Sequence, residues 1–213
     1  MDQTLLQALL YLASLIGSLA FSLSGYLLGR RHSLDMMGVF ILSFLTANGG
    51  GVIRDILTGR VPAVLESPEP FWIVLLVTAL SWSLGLHRFF DVEKRRGFIV
   101  SDAVGLCAFA LSGALIGVEE HCHFFGVLTL ALLTATGGGI VRDLIVNDVP
   151  EVFKGGFYGS VALLVGAGVY LLNTMQLLNA GTVGTVFFLS LTLRLLAYQR
   201  QWSLPGGTRF RDT

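Results

Sequence analysis

The sequence predicts an all-α membrane protein in which two inverted repeats of three transmembrane helices are followed by a seventh helix. Three observations predict this fold. Of the 213 residues, 54% are hydrophobic and 13% are charged, whereas a soluble domain carries about 25% charged residues. Uncharged stretches long enough to cross a bilayer recur along the chain. A distinctive glycine-rich motif also occurs twice.

The uncharged stretches define the helices in order. Because a membrane span needs about 20 apolar residues, spans one to five are placed at 3–29, 36–53, 70–86, 103–118 (begun near residue 98) and 124–141. The stretch 155–193 is about twice too long for one crossing. Turn-forming residues from Asn173 to Gly181 divide it into spans six and seven.

These spans predict one integral membrane domain over residues 1–213. The first repeat is expected at about 5–90, the second at about 98–173, the seventh helix at about 181–200 and a cytoplasmic tail at 201–213. No cleaved signal peptide is expected, because the N-terminus has no basic region.

Basic residues predict the orientation. Lys and Arg cluster in the loops after spans one, three and five and in the C-terminal tail, whereas the opposite side carries Arg60. Since basic loops stay cytoplasmic, we expect the N-terminus outside and the C-terminus in the cytoplasm of a multi-pass cell-membrane protein. The loop 91–97 (DVEKRRG) is the main determinant of this orientation, and contact with anionic lipid is a second role for it.

The repeat is clearest in TANGGGVIRD, which begins at Thr46, and TATGGGIVRD, which begins at Thr134. Between 46–65 and 134–153, ten of twenty positions are identical, and 16–29 aligns with 104–117 at the same shift. Because each copy contains three spans, an odd number, the two copies must enter the membrane from opposite sides. Inverted repeats of this kind place a permeation site near mid-membrane, between the two copies.

The glycine triplets predict a kink or break in spans two and five. Each helix-interior glycine costs about 1 kcal/mol relative to alanine, and irregular backbone survives in a membrane where it lines water or is buried in protein. The expected pore hinge consists of Gly49, Gly50, Gly51, Gly137, Gly138 and Gly139. The alternative is that these small residues permit close helix packing, which is the favoured interpretation for the pairs Gly25–Gly29 and Gly113–Gly117.

Two arginine–aspartate pairs follow the triplets. Charges inside a span are costly, and helix neighbours point about 100° apart. We therefore predict that Arg54 pairs with Asp143, and Arg142 with Asp55, across the interface between repeats. The alternative places all four residues at span ends, where they reach the headgroups.

Other polar residues are candidates for the lining of the pore. Thr46 and Thr134 precede the triplets by one turn, and Ser24 and Ser112 are equivalent in the two repeats. Asp102 is expected either to cap the start of span four or to face the pore.

No metal site, cofactor, nucleic-acid partner or enzymatic activity is expected. The cluster EEHCH (119–123) contains ligand chemistry, but its spacing matches no standard zinc pattern, and a solvated loop is favoured. Signatures of phosphate-binding loops and catalytic triads are absent from the sequence, and the net charge is zero.

The doubled GGG-x-x-RD motif followed by proline, in a duplicated three-span unit with a seventh helix, resembles the trimeric intracellular cation (TRIC) channel family. The similarity is greatest to its prokaryotic branch, also described as a glycine-transporter-like family of bacterial membrane proteins. It implies a membrane-embedded homotrimer with one pore per protomer and a permeant monovalent cation, chiefly K⁺, with Na⁺ as an alternative. Eukaryotic members carry a lysine-containing motif in one copy and bind phosphoinositide there. This chain has arginine–aspartate in both copies, so lipid dependence is not carried over.

Two functions remain open on the sequence. Broken antiparallel helices direct negative C-terminal ends toward mid-membrane, which favours a cation channel. The same breaks expose positive ends beside Arg54 and Arg142, which suits the carboxylate of a small zwitterion such as glycine. The resemblance favours the channel over the carrier.

Overall fold

The computed structural model describes residues 3–89, 96–154 and 157–202. Every regular element in these ranges is helical. They are α1 (Gln3–Arg31), α2 (Met36–Leu57), α3 (Ala63–Glu66), α4 (Glu69–Ser83), α5 (Leu86–Phe89), α6 (Arg96–Glu119), α7 (Phe124–Ile145), a 3₁₀ turn (Glu151–Phe153), α8 (Tyr158–Thr174) and α9 (Ala180–Gln199).

Seven of these described helices have 15 residues or more. Helices α1, α2, α6, α7 and α9 are long and apolar enough to cross a membrane, and α4 and α8 are shorter apolar helices. Each predicted span coincides with one of the seven, and the long apolar stretch divides where its turn residues predict, between Thr174 and Ala180. The basic residues at 91–95 and the tail beyond residue 202 lie outside the described residues.

Matching caps start the second helix of each repeat. The Asp35 carboxylate accepts a hydrogen bond from the backbone N–H of Gly38 at 2.7 Å. At the equivalent start of α7, Nδ1 of His123 accepts one from the N–H of Gly126 at 3.2 Å. Since the first turn of a helix has unpaired N–H groups, each cap satisfies one of them and fixes the residue at which the second helix begins.

The repeats pack along their first and second helices. Helix α1 lies against α6 and α2 against α7, while α4 and α8 lie on the outside of their own repeats. Helix α9 packs on α8 and α6, so it contacts mainly the second repeat. This asymmetry buries α6 most deeply, and it gives the second repeat a neighbour that the first repeat lacks.

Candidate functional site

The centre of the molecule is the crossing of α2 and α7 at their glycine triplets. A β-carbon on Gly50 would overlap the carbonyl oxygen of Thr134, and one on Gly138 would overlap that of Thr46. One on Gly49 would lie 3.3 Å from the Cα of Gly138. The glycines therefore allow the two helix backbones to touch, as small residues do in membrane proteins.

Of the predicted kink or break in these helices, the break is wrong and the kink stays a prediction. Both α2 and α7 are α-helical without interruption through the triplets. Backbone contact at the crossing offsets the helix cost of glycine, so no carbonyls need to be freed. The favoured interpretation of the other small pairs agrees with the structure, since a β-carbon on Gly25 would lie 2.6 Å from the Cα of Ser43 in α2.

We call the first charged cluster the Arg54 centre; it consists of Arg54, Asp55, Ser14 and Ser112. Nε of Arg54 donates to Oδ1 of Asp55 at 2.8 Å. Nη1 donates to the hydroxyl of Ser112 in the other repeat at 2.6 Å and reaches that of Ser14 at 3.5 Å. The two serine hydroxyls are 2.8 Å apart. Arginine thus ties the end of α2 to α1 and α6.

The second cluster, the Arg142 centre, consists of Arg142, Asp143, Ser24 and Asp102. Nε of Arg142 donates to Asp143 at 2.8 Å, and Nη1 donates to the hydroxyl of Ser24 in the first repeat at 2.6 Å. Nη1 also donates to the Asp102 carboxylate at 2.6 Å. Arg142 is fully buried, so this charge relies entirely on protein partners.

The predicted exchange of carboxylates between repeats is wrong. Each arginine pairs with the aspartate beside it, because the long guanidinium side chain folds back to reach Oδ1. Each aspartate then uses Oδ2 to accept the backbone N–H eight residues on, Ala63 at 3.2 Å and Glu151 at 2.9 Å. Hydroxyls of Ser112 and Ser24 make the contacts between repeats instead.

Several predicted lining residues lie in packed interior. Thr46 and Thr134 are fully buried at the crossing, and the hydroxyl of Thr46 donates to the Leu42 carbonyl at 2.6 Å. Ser24 and Ser112 are fully buried as partners of the arginines. Asp102 is not a cap, because α6 begins at Arg96. The headgroup interpretation of the motif charges also fails, since all four are buried.

Three residues beside the Arg142 centre escaped the sequence analysis. The guanidinium of Arg142 stacks on the Phe98 ring at 4.6 Å, and that of Arg194 stacks on the Tyr158 ring at 4.6 Å. Tyr158 lies close to Gly139 and is buried. Arg194 had a sequence signal, because it is a charge within an apolar helix.

A cavity of about 130 Å³ opens beside the Arg54 centre, between α1, α2, α3 and α4. Apolar and polar side chains line it together, and the polar ones include Ser14, Asn48, Arg54, Asp55 and Glu69. The hydroxyl of Tyr11 donates to Glu69 at 2.5 Å at the rim. One guanidinium thus faces two carboxylates, so the lining carries one net negative charge.

Contacts between polar and charged side chains also join the repeats at both ends of the molecule. Arg60 pairs with Glu119 at 2.9 Å and Glu120 at 2.5 Å, and at the opposite end His32 lies 3.4 Å from Asp148. Partial burial lowers the pKa of Arg60, but its bonds to Glu120 and Glu119 outweigh burial and raise that pKa above its usual range. The acids of the EEHCH cluster therefore serve as partners of Arg60.

The chain is similar to known membrane proteins along nearly its whole length. The family model described as "Glycine transporter" matches residues 11–87 and 99–174. A "UPF0126 membrane protein" of Deinococcus radiodurans is 40% identical over 201 residues, which are 91% of this chain and 89% of that protein.

Solved structures share the fold. A structure described as a prokaryotic TRIC channel in 0.5 M KCl has a TM-score of 0.83 and 30% identity, over 93% of this chain and all of that one. The TRIC trimeric intracellular cation channel orthologue from Rhodobacter sphaeroides has a TM-score of 0.81 and 27% identity, over 90% of this chain and 98% of that one.

Proposed function

This chain belongs to the family described as "Glycine transporter", whose fold here is that of the TRIC channels, and from that premise we propose that it is a monovalent cation channel. The principal ion is K⁺. Each protomer holds its own pathway, and three protomers assemble as a homotrimer. The structural neighbours are cation channels, and one is described as trimeric; these similarities support the proposal.

The observation that carries the proposal is the cavity beside the Arg54 centre. Its carboxylates, Asp55 and Glu69, outnumber its one guanidinium. A cleft with a net negative charge and low-dielectric walls attracts cations. The volume of about 130 Å³ also admits several water molecules, so a cation enters without losing its whole hydration shell.

The pathway continues past the tight crossing of α2 and α7, along their sides. Its narrow point is the Arg54 centre, where hydrogen bonds to Ser14 and Ser112 close the inner end of the cavity. A monovalent cation passes when Arg54 exchanges Ser112 for solvent while keeping Asp55 as its counter-ion. Retaining this counter-ion keeps the positive charge from repelling the permeant ion.

All seven long helices cross the membrane in this proposal, with the N-terminus outside and the C-terminus in the cytoplasm. Helices α4 and α8, with 15 and 17 residues, reach roughly 22–26 Å at 1.5 Å per residue, and flanking residues complete the crossing. The cavity beside Arg54 then opens to the outside, and the Arg142 centre lies toward the cytoplasm.

Planar-bilayer recording of the purified protein tests the proposal. In a KCl gradient we expect unitary currents that reverse near the K⁺ equilibrium potential. Glu69→Gln removes the excess negative charge of the cavity and is expected to lower K⁺ over Cl⁻ permeability severalfold. Glu66→Gln is the matched control, because Glu66 is exposed and lies outside the cavity lining. Absence of unitary current in bilayers that contain the folded protein contradicts the proposal.

A carrier of a small zwitterion is the second candidate, and one observation favours it. The cavity presents a guanidinium and carboxylates together, which complement the carboxylate and ammonium of glycine. Saturable uptake of labelled glycine into proteoliposomes, without unitary current, would establish the carrier in place of the channel.

A further inference from the structure

The two repeats differ at the place where the first one has its cavity. In the alignment of the two repeats, which are 88 positions apart, the lining residues Asn48, Gly51 and Arg54 correspond to Thr136, Gly139 and Arg142. The second helix therefore presents a closely similar wall in both repeats. The opposite wall changes, because Ser14 becomes Asp102 and Pro70 becomes Tyr158.

Tyr158 lies beside Gly139, whose counterpart in the first repeat, Gly51, lines the open cavity. It is the first residue of α8, as Pro70 stands near the start of α4. Tyr158 is buried, and its ring lies under the guanidinium of Arg194, at 4.6 Å. A proline at the same place in the first repeat lines the cavity without filling it.

The space around Tyr158 contains an unpaired polar atom. Nη2 of Arg142 is buried without a hydrogen-bond partner among the described residues, and the buried hydroxyl of Tyr158 has the Asp102 carboxylate as its polar neighbour. Both atoms face the same glycine: a methyl group on Gly139 would lie 3.4 Å from the tyrosine hydroxyl and 3.7 Å from Nη2. Buried donors of this kind are usually satisfied by water, so this is a polar site closed off from solvent.

The backbone beside Tyr158 is strained. Phe157 has φ 36° and ψ 33°, the left-handed region that side chains with a β-carbon rarely adopt. Strain of this type occurs at segments with two arrangements. Relief of the Phe157 conformation would swing the first turn of α8, and with it Tyr158, away from Gly139.

We propose that the second repeat holds an occluded, water-filled counterpart of the first-repeat cavity, and that the side chain of Tyr158 is its plug. The plug and the cavity behind it do not depend on which solute the protein passes.

Cysteine accessibility tests the plug in the whole purified protein. The native cysteines are first removed as Cys107→Ala and Cys122→Ser. Thr136→Cys then places a thiol on the wall behind Tyr158, and Asn48→Cys places the matched thiol in the open cavity of the first repeat. A charged methanethiosulfonate reagent is expected to modify the thiol at 48 at least tenfold faster than the thiol at 136.

Opening the plug should remove this difference. Tyr158→Ala, or Tyr158→Ser as a second variant, is expected to raise the modification rate at 136 at least tenfold while leaving the rate at 48 unchanged. Tyr158→Phe keeps the ring and should leave the thiol at 136 protected. Protection that persists in the alanine and serine variants overturns the proposal. So does failure of both variants to form a monodisperse oligomer, because the ring would then be an indispensable part of the core.

Bilayer recordings on the same variants separate this inference from the proposed function. A reactive thiol at 136 in the alanine variant, with no unitary current in any preparation, upholds the occluded cavity and refutes the channel. Unitary currents together with a protected thiol at 136 refute the plug and leave the channel standing.

Discussion

The Arg54 and Arg142 centres start from the same motif and end in different surroundings. In both, the arginine binds the adjacent aspartate and a serine of the other repeat. The Arg54 centre then opens into a cavity. The Arg142 centre is enclosed, with a second carboxylate on its guanidinium and Tyr158 beside it.

The difference comes from residues outside the motif. Arg194 belongs to α9, which has no equivalent in the first repeat, and its guanidinium stacks on the Tyr158 ring at 4.6 Å. Asp102, which stands where the first repeat has Ser14, balances Arg194 and keeps the buried cluster neutral. A repeated motif thus fixes the contacts at the crossing, while the neighbours that differ between the repeats determine which of the two centres is open.

Removal of each arginine should give the largest losses of stability and the clearest difference between the two centres. Arg142→Met strands the buried carboxylates of Asp102 and Asp143 and is expected to cost about 3–5 kcal/mol of unfolding free energy. Arg54→Met leaves one carboxylate beside a cavity and should cost about 1–3 kcal/mol. Reversible unfolding in mixed micelles measures both. Equal losses would contradict the asymmetry.

The glycines at the crossing should respond equally in the two repeats. Gly50→Ala and Gly138→Ala each drive a methyl group into a backbone carbonyl of the other helix, so each is expected to cost about 3 kcal/mol, at the upper end for overpacking. Thermal denaturation monitored by size-exclusion chromatography measures the change.

Gly51→Ala is the control for these glycines. An added methyl there meets only the end of the Arg54 side chain, at 3.9 Å. It should change stability by less than about 1 kcal/mol, and its small helix benefit works in the stabilising direction. A loss as large as that of Gly50→Ala would show that the triplet acts by flexibility instead of by contact.

The balance between Asp102 and Arg194 predicts a coupling. Asp102→Ser and Arg194→Gln should each destabilise the protein, and the double variant should lose less than the sum, with a coupling of about 1–3 kcal/mol. The matched control is Ser14→Ala with Arg194→Gln, for which additive losses are expected. Additive losses in both pairs would show that Asp102 has no energetic coupling to Arg194 of α9.

The side-chain contacts at the two ends of the molecule should have the smallest effect on stability. Arg60→Gln removes a partly exposed pair, so the expected loss is below about 1 kcal/mol, and it should shrink further at high salt. Stability of this variant and of Asp148→Asn, measured at low and high KCl, tests whether the two ends contribute alike. A loss above 2 kcal/mol at either end would make that pair a principal contact between repeats.

Much of the fold was predictable because bilayer thickness constrains the length of uncharged stretches. The turn residues near Asn179 also gave the division of the last stretch correctly, since Asn179 caps α9. The pairing of residues within the centre was not predictable. The angle of about 100° between neighbouring helix positions predicted no contact between Arg54 and Asp55. The arginine side chain is long enough to fold back along the helix, however, and its guanidinium reaches the aspartate.

The glycine triplets show a second limit of the sequence. A glycine run is compatible either with a break in the helix or with very close packing of the helix against a neighbour, because both need the β-carbon to be absent. Which of the two occurs depends on the atoms that face the glycine, and these are known only from the tertiary structure. Tyr158 was missed for a related reason: its importance is visible only when it is compared with Pro70 and the space that proline leaves.

The crossing of α2 and α7 has a mechanical consequence. If two rigid helices that touch at one point rock about that contact, widening the gap at one end narrows the gap at the other. Rocking of this kind would admit solvent to one face of the membrane at a time, which suits stepwise delivery of a solute. Continuous conduction requires both faces to be wet at once, so it would have to come from side chains that withdraw while the two helices stay still.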